Sequence, residues 1–302
     1  MKYTDNLQVP RGSVDVVLDT DAYNEIDDQF AISYLLRSKD KLNPKAIYAA
    51  PFLNSKSSSP KDGMEKSYNE ILKILELEGS PELKSVVFSG SESFLKDETT
   101  PEYSPAAYDL VARAKKYSPE IPLYVVAIGA ITNIASAILM DPSICENIVV
   151  VFLGGHSLDF NAEEFNIYQD PAASRVIFTC PAPIVQLPCL GVVSELTVSG
   201  PELDFWLTGK GPLAEYLAKN TIDAAEEYAS GKPWTRVLWD VAAVAWLLND
   251  NDRFMRWRIK PSHTPDKMFN YIDNVHGKPM TYVYHIWRDN IIEDLFKKLA
   301  DN

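Results

Sequence analysis

The sequence predicts an α/β protein: a Rossmann-like, open, mostly parallel sheet with helices on both faces, in a single domain over residues 1–302. Three observations predict it. Short β-branched or apolar runs alternate with segments whose apolar residues recur at helical spacing, joined by short links, which is the pattern of parallel βαβ units. No internal repeat and no low-complexity linker divides the chain. The first apolar run also ends in carboxylates and turns into a helix led by carboxylates, and open α/β sheets bind ligands at the carboxyl ends of their strands.

The elements follow in order. Val14, Val16, Val17 and Leu18 form a short run of the kind that makes a buried strand. A helix is expected over 27–38, with Phe30, Ala31, Tyr34, Leu35 and Leu36 at helical spacing. A second strand over 46–50 leads through a Pro- and Ser-rich loop to a helix with Tyr68, Ile71, Leu72 and Leu75 on one face. A third strand is expected over 85–88 and a helix over 106–116. Strands over 123–128 and 148–153 flank a helix over 132–140, and another strand falls at 184–187. Beyond it the order loosens: helical stretches over 212–230 and 240–248, a late strand at 282–284, and a terminal helix over 290–299.

The stretch Val14–Asp28 reads VDVVLDTDAYNEIDD and concentrates Asp19, Asp21, Asp27 and Asp28 at one sheet edge. Unpaired carboxylates a few ångströms apart repel, so such a cluster holds a cation or shares protons. Oxygen-only ligands favour hard Ca2+ or Mg2+ over zinc. Each aspartate also has an ordinary structural alternative. Asp27 and Asp28 can serve as helix cap and first-turn acid, and Asp19 and Asp21 as turn residues.

Composition bounds the function. The 46% hydrophobic and 24% charged residues are globular usage. A balance of 42 acidic against 29 basic residues, net −13, argues against nucleic acid or an anionic membrane as partner. No apolar run reaches the roughly 18 residues of a membrane span, and the start, MKYTDNLQVPRG, has no apolar core of a signal peptide. Cys145, Cys180 and Cys189 form an odd count without CxxC spacing, as expected of reduced, buried thiols in a cytoplasmic protein. The histidines, His156, His263, His276 and His285, have no zinc-ligand spacing, and GxGxxG, Walker and GxSxG motifs are absent.

DTDAYNEIDDQFA resembles the N-terminal fingerprint of the inosine–uridine nucleoside hydrolase family, Asp-x-Asp, a short turn, then Asp-Asp and an alanine-containing helix. Further segments extend the likeness over most of the chain. Ala127-Ile-Gly-Ala-Ile-Thr-Asn133 resembles the family's Gly-x-x-Thr-Asn turn, with Thr132 or Asn133 also expected to cap the next helix. Leu153-Gly-Gly155 is similar to its Met-Gly-Gly. Glu163-Glu-Phe-Asn-Ile167 with Asp170-Pro-Ala172 is similar to its Glu-Phe-Asn-Ile…Asp-Pro, although Asp before Pro is also an ordinary helix start. Trp239-Asp240 leads an apolar helix where the family has an aspartate, which by itself can also be read as a simple cap.

The resemblance implies a nucleoside hydrolase fold and calcium-dependent cleavage of the N-glycosidic bond of a ribonucleoside, within purine and pyrimidine salvage. It places calcium on Asp21, Asp28, Asp240 and the Ile128 carbonyl. It makes Asp21 the general base, has Asp27 and Asn166 orient sugar hydroxyls, and puts Glu164 at the sugar's far end. It also implies a homo-oligomer, dimer or tetramer.

Four departures accompany it. The turn from Ala22 to Ile26 has five residues where the family has three. Trp239 stands where many members carry an acid histidine; the purine-preferring branch has a tryptophan there, so Trp239 is expected to stack on the base and lean the chain towards purines. The family's asparagine for the sugar 5′ hydroxyl falls near Leu158, and its His-Gly loop has no counterpart. His156, after the Gly-Gly turn, is the histidine expected near the pocket. The altered contacts leave two alternatives: a hydrolase of a different ribosyl compound, and a catalytically inactive calcium-dependent sugar- or nucleoside-binding protein.

Overall fold

The computed structural model describes residues 3–274 and 277–301, so the expectation for His276 lies outside the described residues. The chain runs β1 (Val14–Thr20), α1 (Asp27–Leu36), β2 (Leu42–Ala49), α2 (Pro60–Leu77), β3 (Val87–Ser89), α3 (Pro105–Ala114), β4 (Leu123–Ala127) and α4 (Thr132–Met140). It continues through β5 (Ile148–Leu153), α5 (Phe165–Gln169), α6 (Pro171–Thr179), β6 (Ile184–Leu187), β7 (Thr197–Val198), α7 (Gly200–Leu207), α8 (Pro212–Ala229), β8 (Arg236–Val237) and α9 (Val241–Leu247). The last elements are β9 (Met255–Pro261), β10 (His263–Pro265), β11 (Tyr271–Asp273), β12 (Pro279–Ile286) and α10 (Arg288–Ala300).

Eight strands form the central sheet in the order β3-β2-β1-β4-β5-β6-β12-β9, parallel except where β9 runs antiparallel to β12. The sheet is buried on both faces because its strands carry apolar side chains on both. Val16 and Leu18 point into the core shared with α1, α2, α9 and α10, while Val17, Val125 and Val150 face α3, α4 and α6. All ten residues of α1 are buried, as expected of a helix wedged between a sheet and other helices.

Strand order reverses between β1 and β4: β1 continues to β2 on one side, and β4 to β5 on the other. Such a switch point opens a crevice at the carboxyl ends of the two strands. Asp19 sits opposite Ala127 across this pair, so Asp21 and Ile128 emerge side by side. Among the described residues no helix is long and apolar enough to cross a membrane, and all three cysteines are free and buried.

Candidate active site

A pocket of about 310 Å³ lies at that switch point. Asp21, Asp27, Asp28, Ile128, His156, Glu164, Asn166, Trp239 and Asp240 all line it, so the residues to which the resemblance gave a role, together with His156, reach one cavity. They come from the ends of β1, β4 and β5 and from the starts of α1, α5 and α9, elements spread over more than two hundred residues of sequence.

None of the key aspartates is spent on a helix cap. Ile26 occupies the N-cap of α1 and no side chain caps that helix. Asp240 occupies the N-cap of α9 in helical geometry, again without a side-chain cap. Its amide donates instead to Asp27 Oδ2 at 3.4 Å. One carboxylate oxygen from each of Asp27, Asp28 and Asp240 lies within 4.8 Å of the others. Asp28 is near enough to hydrogen-bond both Asp21 and Asp240, and Thr20 Oγ1 donates to Asp28 Oδ1 at 2.5 Å.

Asp21 is seated by a glycine. A Cβ on Gly129 would stand 2.9 Å from Asp21 Oδ1 and 3.1 Å from Ala50 Cβ, so only the bare backbone lets this carboxylate lie against the β4 turn. Asp21 Oδ2 and Asp27 Oδ1 are buried without a hydrogen-bond partner. Burial, then neighbouring carboxylates, holds Asp21 and Asp240 well above the usual carboxylate range; burial, then Glu25 and Asp28, does the same for Asp27. Burial raises Asp28 to about 7 against the hydrogen bond from Thr20. Removing this cost takes a positive charge. The donor set of carboxylates and one carbonyl suits a hard divalent cation, so the residues fit a metal of that class.

The other wall is built from β5 and α5. Glu164 caps α5 and is held by three amides, from Asn166 to Oε1 (2.9 Å) and from Gly155 (3.0 Å) and Ile167 (3.3 Å) to Oε2. Burial brings its carboxyl to about 7 despite these bonds. His156 Nδ1 accepts the Leu190 amide at 3.3 Å, and burial lowers its pKa.

Two expectations are corrected. Thr132 and Asn133 do not cap α4, whose N-cap is Ile131 without a side-chain bond. Thr132 donates to Asp170 Oδ2 at 2.7 Å, and Asn133 Nδ2 donates to Asp19 Oδ1 at 2.8 Å. Asp19 is therefore held beneath the pocket and does not line it, so the first strand sends one aspartate to the site rather than two. Asp170 caps α6, accepting from the Ala173 amide at 2.9 Å, as its proline suggested.

Sequence reasoning missed Asn24, Glu25, Leu153, Phe165, Cys189 and Leu190 as lining residues. Asn24 and Glu25 lie in the five-residue turn, whose extra length was the available signal. Cys189 carried none: it reaches Glu164 only because the chain doubles back after β6, with the Cys189 amide on the Gly155 carbonyl at 2.7 Å.

An open α/β sheet with a carboxylate cluster in the crevice of its switch point defines a ligand-binding enzyme of the doubly wound type. The family model described as inosine–uridine preferring nucleoside hydrolase matches residues 16–278. The chain belongs to that family, whose members are hydrolases of ribonucleosides. It is 27% identical over 248 residues to the pyrimidine-specific ribonucleoside hydrolase RihA of Citrobacter koseri, covering 74% of this chain and 76% of that protein. It is 33% identical over 135 residues to the probable uridine nucleosidase 2 of Arabidopsis thaliana, a match spanning 43% of this chain and 41% of that one. The purine-preferring ribonucleoside hydrolase from Gardnerella vaginalis shares the fold, with a TM-score of 0.75 at 21% identity over 95% of this chain and 98% of that one.

Proposed function

We propose that this chain hydrolyses the N-glycosidic bond of a ribonucleoside to ribose and free base, with Ca2+ held by Asp21, Asp28, Asp240 and the Ile128 carbonyl. The observation that carries this is the cluster itself. Asp27, Asp28 and Asp240 bring carboxylate oxygens within 4.8 Å of one another, Asp21 lies in hydrogen-bond reach of Asp28, and Asp21 and Asp27 keep buried unpartnered oxygens, a set that calls for a hard cation, in a chain of nucleoside hydrolase ancestry. When bound, the ion would lower the pKa of a water and hold the sugar diol.

Asp21 takes the proton of the attacking water as general base. Asp27 and Asn166 orient the sugar hydroxyls, and Glu164, fixed by its three amides, meets the sugar at the far end. Positive charge spreads over the ring as the bond to the base lengthens, and the surrounding carboxylates stabilise it. Trp239 stacks on the base; a larger ring gains more from the indole, which leans the chain towards purines among neutral nucleosides. His156 borders the substrate.

Free-ribose release from a panel of nucleosides, with and without a calcium chelator, tests this. Release that stops on chelation and returns with Ca2+ is the expected result. Ligand and Ca2+ binding without release would instead make the chain a binding protein. Release indifferent to chelation would remove the metal from the mechanism.

A further inference from the structure

Outside the pocket lining, the fold brings two thiols and an ammonium group together. Cys145 lies in the short turn Pro142–Glu146 after α4, Cys180 is the C-cap of α6, and Lys278 precedes β12. Cys145 and Cys180 are near enough to hydrogen-bond each other. Both are buried, but Cys180 keeps 7% exposure and stands between the exposed Thr179 and Pro181.

Lys278 Nζ donates to the carbonyls of Ala182 at 2.7 Å and Ile177 at 3.5 Å, and to Cys180 Sγ at 3.8 Å. Of these acceptors only the sulfur can carry a negative charge. The Ala182 amide is within hydrogen-bond reach of both sulfurs. As a thiol, Cys180 donates to the Ile177 carbonyl at 3.2 Å; as a thiolate it has an ammonium and an amide to accept from. The carboxyl end of α6 disfavours an anion here, and these two donors oppose that cost. The hydrogen bond from Cys145, with the Lys278 charge, lowers the Cys180 thiol, while the same bond and burial raise Cys145. The proton therefore stays on Cys145 and the charge on Cys180. The Lys278 charge works against a metal cation on the two sulfurs.

We propose that Cys145 and Cys180 form a peroxide-sensitive pair, with Cys180 the attacking thiolate and Cys145 the thiol that closes a reversible disulfide. The Cys180 sulfur bonds to one oxygen of hydrogen peroxide, and the O–O bond breaks. The leaving oxygen takes a proton from Lys278, which recovers one from solvent, and Cys180 becomes a sulfenic acid. The Cys145 sulfur then bonds to the Cys180 sulfur and the S–O bond breaks. Hydroxide departs with the electron pair and takes the Cys145 proton, leaving as water. The sulfurs lose two electrons and the peroxide is reduced to water. The new bond joins the far ends of α4 and α6, whose leading ends already meet through Thr132 and Asp170. Cys189 is the comparison within the same chain: burial, and then the Glu164 charge, raises its thiol.

The test treats the full, folded chain with a slight excess of hydrogen peroxide at neutral pH and follows thiol count and peptide mass. Expected are loss of the Cys145 and Cys180 thiols together, a peptide pair linked through them, Cys189 still reduced, and recovery with dithiothreitol. Cys189 oxidised as fast as Cys180, or thiols lost only when urea unfolds the chain, overturns the proposal. So does Cys180 oxidised without a link to Cys145. In Cys145→Ser the sulfenic acid has no partner thiol, so dimedone is expected to label Cys180; no label there overturns its role as the attacking group. In Lys278→Met the oxidation of Cys180 is expected to slow by about tenfold as its thiolate fraction falls. An unchanged rate overturns the part given to Lys278.

Discussion

Asn166 ties the candidate metal-binding carbonyl to the neighbouring strand: its Nδ2 donates to the Ile128 oxygen at 3.3 Å and to the Leu153 oxygen at 3.0 Å. One amide thus fixes the ends of β4 and β5 and orients a carbonyl that has a second lone pair to offer. Groups that orient a ligand without touching the metal are worth about 10–100-fold in affinity. Asn166→Ala is expected to weaken Ca2+ binding by that range in titration calorimetry. Unchanged affinity would detach Ile128 from the ligand set.

Asp21→Ala removes the proposed base while Gly129 and the rest of the cluster remain. Hydrolysis is expected to fall by at least about 10²–10⁴-fold, the usual worth of general base catalysis. Single-turnover ribose release with Ca2+ in excess measures it. Turnover within a few-fold of the unaltered chain would assign the base elsewhere.

Trp239→Ala deletes the indole beside Asp240. Stacking on an aromatic side chain is worth about 1–3 kcal/mol per base, so kcat/KM for purine ribosides is expected to drop more than for pyrimidine ribosides. Equal losses on inosine and uridine would end the stacking role.

His263 makes stability depend on pH from a position that does not line the pocket. It is fully buried between Phe178 and Tyr271, with Lys260 Nζ 2.8 Å from its Nδ1. Burial, and then the Lys260 charge, lowers its pKa to about 3. The unfolded chain takes up this proton below about pH 6.5 and the folded chain does not, so stability is intact above that pH and is lost as pH falls towards 3. The loss is about 2 kcal/mol near pH 5. Urea unfolding near pH 7.5 and near pH 5 should show that loss in the unaltered chain and its absence in His263→Gln. A parallel loss in both would place the titrating group elsewhere.

Much of this was legible in the chain itself. Helix α4 and strands β5 and β6 fall where their apolar patterns end, because an element buried on its apolar side is written in neighbouring residues. Strand β9 was not foreseen. Arg256, Arg258 and Lys260 alternate with Trp257 and Ile259 along an exposed edge, a charged pattern that protects an edge strand and does not look like a buried one. The short pair β10 and β11 escaped for a related reason, since each is three residues long and finds its partner only through the fold.

The sequence by itself determined the α/β class, the acidic turn, and the aspartates and carbonyl assembled at the site, because strand-end carboxylates and family-like turns are local patterns. Tertiary structure decided the rest. It sent Asp19 under the pocket to Asn133, turned Thr132 and Asn133 from caps into ties, and brought Cys189, Leu190 and Glu25 to the cavity wall. These are contacts across tens to more than a hundred residues. A residue's own neighbours set the conformations it can adopt, but which buried group it must satisfy is set by whatever the folded sheet places against it.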